Sequence, residues 1–330
     1  MQTRRIGSER TGVRVTEVGF GGGPIGGLFQ EVSSEDAQSA LAAGWDAGIR
    51  YLDVAPHYGL GRAEREFGAF LRTKPRDEFV LSTKVGRVLV PQEPHGLDLD
   101  NLFAVPADHR RVWDFSRDGV RRSLEDSLER LGLDRVDVLL LHDAEEHFAE
   151  ALRDGYPALA ELRSEGVVGA IGAGMGDQAL LTRLVREADV DVVMLAGRLT
   201  LLNQSGLDEL VPLCAERGVS VLAAAPFNSG ILAAARPSED SSFGYSRVPK
   251  DVLERARRIA EVCEAHGVTL PQAAMALPLA QPTVASVVLG MRSAAEVRAN
   301  LELQARPVPA ALWPALRDAG LLDPRAVPAA

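Results

Sequence analysis

The chain has 330 residues, 46% hydrophobic and 25% charged, a globular composition with room for one large α/β domain or two ordinary ones. Its net charge of -10 argues against a nucleic-acid binder, and without a run of about 18 apolar residues no membrane span is expected. The two cysteines, Cys214 and Cys263, form no CxxC, and the N-terminus lacks the apolar segment of a signal peptide, which together point to a reducing cytoplasm.

Short β-rich runs alternate with amphipathic, helix-like stretches. Val15 to Gly19 reads as a strand, followed by a helix from Ser34 to Ala47 with Ser33 or Ser34 as its cap. Tyr51 to Asp53 is the second strand and Ala63 to Leu71 its helix. Phe79 to Lys84 is the third strand, followed by a loop of roughly thirty residues rich in Pro, Gly and Asp, then a helix from about Ser116 to Leu131. Val136 to His142 is the fourth strand, with a helix at Tyr156 to Ser164. Strands at Val167 to Ile171, Val190 to Leu195, Val219 to Ala223 and Ala285 to Leu289 complete the series. Their helices span Gln178 to Ala188, Leu207 to Arg217, Asp251 to His266 with a further one from Pro271, and Ala294 to Leu303. The Ala- and Pro-rich tail from Arg306 is expected to pack one helix near Trp313 and then fray.

Eight β-α units without a linker, with near-continuous apolar strands, predict a parallel sheet buried on both faces. Eight units in one domain, here residues 1–330, favour a closed (β/α)8 TIM barrel over a doubly wound sheet. Gly21 to Gly23 open no GxGxxG helix and are read as lining the mouth, with Gly22 at its centre.

The strand ends carry the chemistry. Asp53, Lys84 and His142 close the second, third and fourth strands, and Tyr58 follows in the loop after the second. Singly, Asp53 reads as a loop cap, Tyr58 as rim packing, Lys84 as a surface lysine and His142 as a satisfied core histidine. A barrel brings consecutive strand ends to one mouth, and four such groups there make a proton-transfer site. The ammonium is expected to lower the phenol pKa from about 10. A phenol that exchanges a proton with an oxygen still needs a hydride carrier, hence a nicotinamide. His142, Asp143 and His147 match no dedicated metal spacing, so no metal site is assigned.

The chain resembles the aldo-keto reductase superfamily over nearly its full length. The match runs through Asp53-Val-Ala-Pro-His57-Tyr58, Ser82-Thr-Lys84, and Leu124 to Asp134 leading into Asp137-Val-Leu-Leu-Leu-His142. The resemblance implies that Tyr58 is the general acid/base, that Lys84 and Asp53 tune it, and that His142 orients substrate. Closer similarity is to the sugar 1-dehydrogenase branch, which includes L-fucose (D-threo-aldose), L-galactose and pyridoxal 4-dehydrogenases. It is carried by His57 to Gly61, Lys84 to Arg87, Trp113 to Gly119, Leu141 to Asp143 and Ala225 to Leu232. It implies oxidation of a hemiacetal to a lactone, with His57, Trp113 and His142 against the substrate.

For the cofactor, the resemblance implies contacts from Gly22, Gly174, Met194, Pro226, Phe227, Asn228, Gly290, Arg292, Ser293, Glu296 and Asn300. The stretch Gly172-Ala-Gly174-Met175 stands where many members have a Ser-Asn pair, Met194 where a glutamine is common, and Ala224 or Ala225 where a tyrosine stacks the nicotinamide, leaving Phe227 as a candidate. Arg292 suits the 2′-phosphate of NADP, while Glu296, where some phosphate-gripping members carry arginine, tilts the reading towards NAD. The expected partner is a small sugar or aldehyde. The alternative reading is a nucleotide-binding regulatory or redox-sensing barrel without turnover.

Overall fold

The computed structural model describes residues 1–327. Eight parallel strands close into a barrel, in the order Val18–Gly21, Tyr51–Asp53, Val80–Val85, Val138–His142, Ala170–Met175, Val192–Ala196, Ser220–Ala224 and Val284–Gly290, the last pairing back with the first. The two-residue alternation of a strand sorts the side chains. Phe20, Leu52, Leu81, Leu139, Leu141, Val193, Leu195 and Val287 point outward into the layer shared with the helices. Tyr51, Val138, Leu140, Ala170, Val192, Met194, Leu222 and Val288 fill the barrel. Tyr51 has room because Gly19 lies opposite, where a Cβ would stand 2.6 Å from the tyrosine ring.

The expected first strand is split. An N-terminal hairpin, Thr3–Arg5 against Arg14–Thr16, takes Val15, and the barrel strand starts only at Val18. Ile6, Val13 and Val15 seal the barrel floor, which leaves the opposite end as its mouth. The fifth strand was expected at Val167 to Ile171 and runs instead over Ala170–Met175. Its glycines hide it from β-propensity, but the packing demands them: a Cβ on Gly172 would lie 1.6 Å from the Val192 carbonyl.

The loop after the third strand is not irregular. It holds an antiparallel hairpin, Arg87–Pro91 against His109–Trp113, with Arg87 opposite Trp113. The helix expected from Tyr156 begins further upstream, through a π-helical segment at Ala151–Gly155 just before Pro157, which has no N–H to donate. Of the two caps expected for the first helix, Ser33 takes the role, accepting from Asp36 N–H, and Ser116 caps the helix Arg117–Leu131 in the same way, accepting from Gly119 N–H. In the tail, the helix at Leu312–Asp318 buries Trp313. The chain beyond it is tied down rather than loose up to Ala326, whose carbonyl accepts from Gln281 at 2.9 Å; residues 328–330, where fraying was expected, lie outside the described residues. No helix among the described residues is long and apolar enough to cross a membrane.

Candidate active site at the barrel mouth

Tyr51 and Asp53 are two residues apart and both face inward, as are Ser82 and Lys84 on the next strand. Their pairing register sets Asp53 level with Ser82. Lys84, one inward step higher, reaches back to Asp53 Oδ2 at 2.7 Å and donates to the Val54 carbonyl at 2.9 Å. Ser82 donates to Asp53 Oδ1 at 2.7 Å, and the Tyr51 hydroxyl lies 3.0 Å from the Ser82 oxygen. Both charges of this ion pair are out of solvent, with Asp53 2% and Lys84 1% exposed. Such a pair persists only when the remaining donors and acceptors are satisfied, as they are here.

Tyr58 sits on the loop after the second strand. The turn approaches so tightly that a Cβ on Gly59 would lie 2.0 Å from the Gly26 carbonyl oxygen. Lys84 Nζ donates to the Tyr58 hydroxyl at 3.1 Å. The rings of His142 and Tyr58 meet edge to face, 5.6 Å between centroids, and His57 meets His142 the same way at the same separation. The structure therefore brings Asp53, Tyr58, Lys84, His142 and His57 together.

The expected lowering of the Tyr58 pKa is not what the site produces. Burial pushes the phenol up to about 12; Lys84 pulls the other way, while Asp53 and Asp143 add to the rise. Desolvation of the phenolate outweighs the ammonium. Burial also opposes the Lys84 charge, but the carboxylate beside it wins and holds its pKa above the ordinary lysine value.

Both mouth histidines are neutral. Burial, with Arg87 next, pushes His57 down to about 2 and His142 well below the ordinary imidazole range. The unfolded chain protonates these rings near pH 6.5. Their contribution to stability is thus complete above that pH and is lost as pH falls below it, by up to about 1.4 kcal/mol per unit for each ring. A falling urea midpoint between pH 7 and pH 5, made shallower by His142→Gln, is the expected result; a midpoint flat across that window contradicts it.

Two further ion pairs, neither anticipated from the sequence, build the wall. Arg87 lies over the Trp113 ring, 4.5 Å from its centre, and donates to Asp143 Oδ2 at 2.9 Å. Arg111 grips both oxygens of Asp98, at 2.9 and 2.5 Å, and donates to the His57 carbonyl at 3.0 Å. The second pair ties the hairpin to the loop that carries Tyr58. Trp113 also stacks on Phe115 and faces His147.

The expected nucleotide residues fall in three groups. Gly22 lies past the first strand, donating to the Asp53 carbonyl at 2.7 Å. Gly174 and Met194 are register partners, with Met194 buried in the barrel interior. After the seventh strand, Pro226 and Asn228 are buried, but Phe227 packs on the outer apolar layer, and Ala224 is the side chain that touches the interior cluster. After the eighth strand, Ser293 caps the helix Ala294–Ala305 by accepting from Glu296 N–H. Glu296 Oε2 accepts from Arg292 N–H at 2.9 Å, and its other oxygen lies 3.4 Å from Arg292 Nε. Asn300 follows one turn along the same helix face, half-buried.

Three features of this edge suit a dinucleotide. The Asn228 Oδ1 is buried with no hydrogen-bond partner. Gly290 faces Pro24 so closely that a Cβ would stand 2.9 Å from its ring. The helix from Ala294 opens with uncommitted N–H groups, as an anion-binding terminus does.

Comparison with known proteins follows the same lines. A family model described as the aldo/keto reductase family matches residues 17–319. The chain is 48% identical over 326 residues to a D-threo-aldose 1-dehydrogenase of a Pseudomonas species, covering 98% of this chain and 99% of that one. It is 40% identical to a pyridoxal 4-dehydrogenase of Microbacterium luteolum, covering 95% and 96%. Among solved structures, an aldo-keto reductase of Bacillus halodurans in its holo form superposes with a TM-score of 0.74 at 24% identity, covering 96% of each chain.

Proposed function

The chain belongs to the aldo/keto reductase family of NAD(P)-dependent oxidoreductases, and from that premise we propose that it oxidises the hemiacetal carbon of an aldose to a lactone, with NAD as the preferred cofactor. The reading rests on the Tyr58 hydroxyl held 3.1 Å from Lys84 Nζ at a strand-end site. It is further supported by 48% identity to a D-threo-aldose 1-dehydrogenase over nearly the whole chain.

Asn228, Gly290, Ser293 and Arg292 would hold a nicotinamide cofactor, which would supply the hydride acceptor. The protein's part is proton transfer and orientation. Tyr58 Oη takes the proton of the substrate hydroxyl, and Lys84 stabilises the charge on the phenolate that receives it. Asp53 fixes the ammonium, so the lysine cannot swing from the phenol. A neutral His142 donates one N–H to the substrate oxygen and, with His57, holds the ring against Trp113. In the opposite direction a phenol with a pKa of about 12 is a ready proton donor at neutral pH. Both cysteines are buried and unpaired, in keeping with a cytoplasmic protein.

The lean to NAD comes from Glu296, which occupies Arg292 and places a carboxylate beside it. Glu296→Gln should raise the NADP-to-NAD ratio of kcat/KM by about tenfold, the worth of one charge-assisted hydrogen bond. An unchanged ratio removes Glu296 as the determinant. The activity itself is tested by following nicotinamide absorbance with a panel of aldoses and pyridoxal, each with NAD and with NADP. Cofactor binding without turnover on any of them would leave a nucleotide-sensing barrel instead.

A further inference from the structure

Three cations stand around the mouth, Lys84 buried and Arg87 and Arg111 half-buried, and each has its own carboxylate. Lys84 is paired with Asp53 at 2.7 Å, Arg111 with Asp98 at 2.5 Å and Arg87 with Asp143 at 2.9 Å. With both histidines neutral, these groups sum to no net charge. The third pair differs from the other two. Asp98 and Asp53 are buried, whereas the Asp143 side chain remains 40% exposed. Asp143 follows His142 directly, in the left-handed region at φ 40°, with its N–H bonded to the Gly174 carbonyl at 2.9 Å. Its Oδ2 receives Arg87 and lies 3.4 Å from His142 Nε2. Among the described residues no side-chain donor reaches Oδ1.

We propose that Asp143 is a specificity-determining residue that admits an uncharged, hydroxylated ring and turns away sugars bearing a phosphate or carboxylate. The inference rests on the sugar reading above and deepens it. A hydroxyl donates to the open Oδ1 as a charge-assisted hydrogen bond. An anionic substituent meets the carboxylate instead and finds no unpaired cation among these three. Arg87 is not free to turn towards it, being held over the Trp113 ring and by Asp143. Discrimination of this kind works chiefly by repelling the wrong ligand.

The test compares galactose, galactose 6-phosphate and galacturonate in the wild type, in Asp143→Asn and in Arg87→Gln. In the wild type kcat/KM for both anions should fall about tenfold or more below galactose. Asp143→Asn should lower galactose oxidation and raise that of both anions, moving the anion-to-neutral ratio by about 100-fold, one decade for each effect. Arg87→Gln should lower galactose oxidation without raising that ratio. The inference is overturned if the wild type takes the anions as well as galactose. It is equally overturned if Asp143→Asn lowers all three by one factor, which would leave Asp143 only positioning His142. Should none of the sugars be turned over, the sugar reading fails separately. Quenching of tryptophan fluorescence by the same three ligands with NAD present then decides the inference, and equal quenching by galactose and galacturonate overturns it.

Discussion

Tyr58→Phe is expected to lower turnover by about 10²–10⁴-fold, the usual worth of a general acid/base, while leaving the fold intact. The substitution removes only the hydroxyl. Lys84 keeps its bonds to Asp53 and to the Val54 carbonyl, so the stability change should stay near the ~1 kcal/mol of one hydrogen bond. The pH profile adds a sign. Oxidation needs the phenolate, and the phenol is pushed up to about 12 by burial, so kcat/KM for oxidation should climb through the neutral and mildly alkaline range. Reduction needs the phenol and should stay level over the same range. Steady-state rates in both directions from pH 6 to 9 check this. A wild-type oxidation rate that is flat with pH, or a Tyr58→Phe enzyme that keeps full turnover, would falsify the assignment of Tyr58 as the proton carrier.

The second large effect concerns the ion pair beneath the tyrosine. Lys84→Met strands a carboxylate that is 2% exposed, and breaking a buried pair from one side costs about 3–5 kcal/mol. Asp53→Asn strands the ammonium in the same way. The double variant Asp53→Asn/Lys84→Met leaves no charge behind and should recover most of that stability while remaining inactive, because the phenol has lost its ammonium. Urea unfolding of all three variants, read beside turnover, separates the two roles. If the double variant is as unstable as the singles, the loss lies in packing and not in charge.

Much of this site was legible because strand alternation is simple arithmetic. Asp53, Lys84 and His142 each end an apolar run, and consecutive strand ends of a barrel meet at one mouth; Tyr51 beneath Asp53 and Ser82 beneath Lys84 emerged only with the structure. The fifth strand was misplaced because Gly172 and Gly174 carry no β signal, and what they meet, the Val192 carbonyl and the Met194 side chain on the next strand, lies in no local window. Arg87–Asp143 and Arg111–Asp98 went unseen for a different reason. In an arginine-rich chain these guanidiniums look like any others, and only folding shows which acid each one meets. The hairpin that carries two of them was read as a loop because both its strands carry arginine and the first ends in Pro91. The pKa of Tyr58 went the wrong way because a sequence names the neighbouring charges but not how much water they exclude.

That hairpin has a consequence of its own. Its two strands leave and rejoin the barrel side by side, with Arg87 across from Trp113, so the chain between them returns over the mouth it started from. Its root is anchored twice, by Arg87 on Asp143 and by Arg111 on Asp98 and the His57 carbonyl. Its far end, from Gln92 to Asp108, folds back on the site: it holds Asp98, the partner of Arg111, and its Phe103 ring lies 5.2 Å from that of His57 and 6.4 Å from that of Tyr58. Substrate range in a lineage built on this scaffold therefore cannot drift at the tip alone: a change there reaches the proton carrier through a single ring contact, and a designer seeking a new sugar has to keep Asp98 and Phe103 in place.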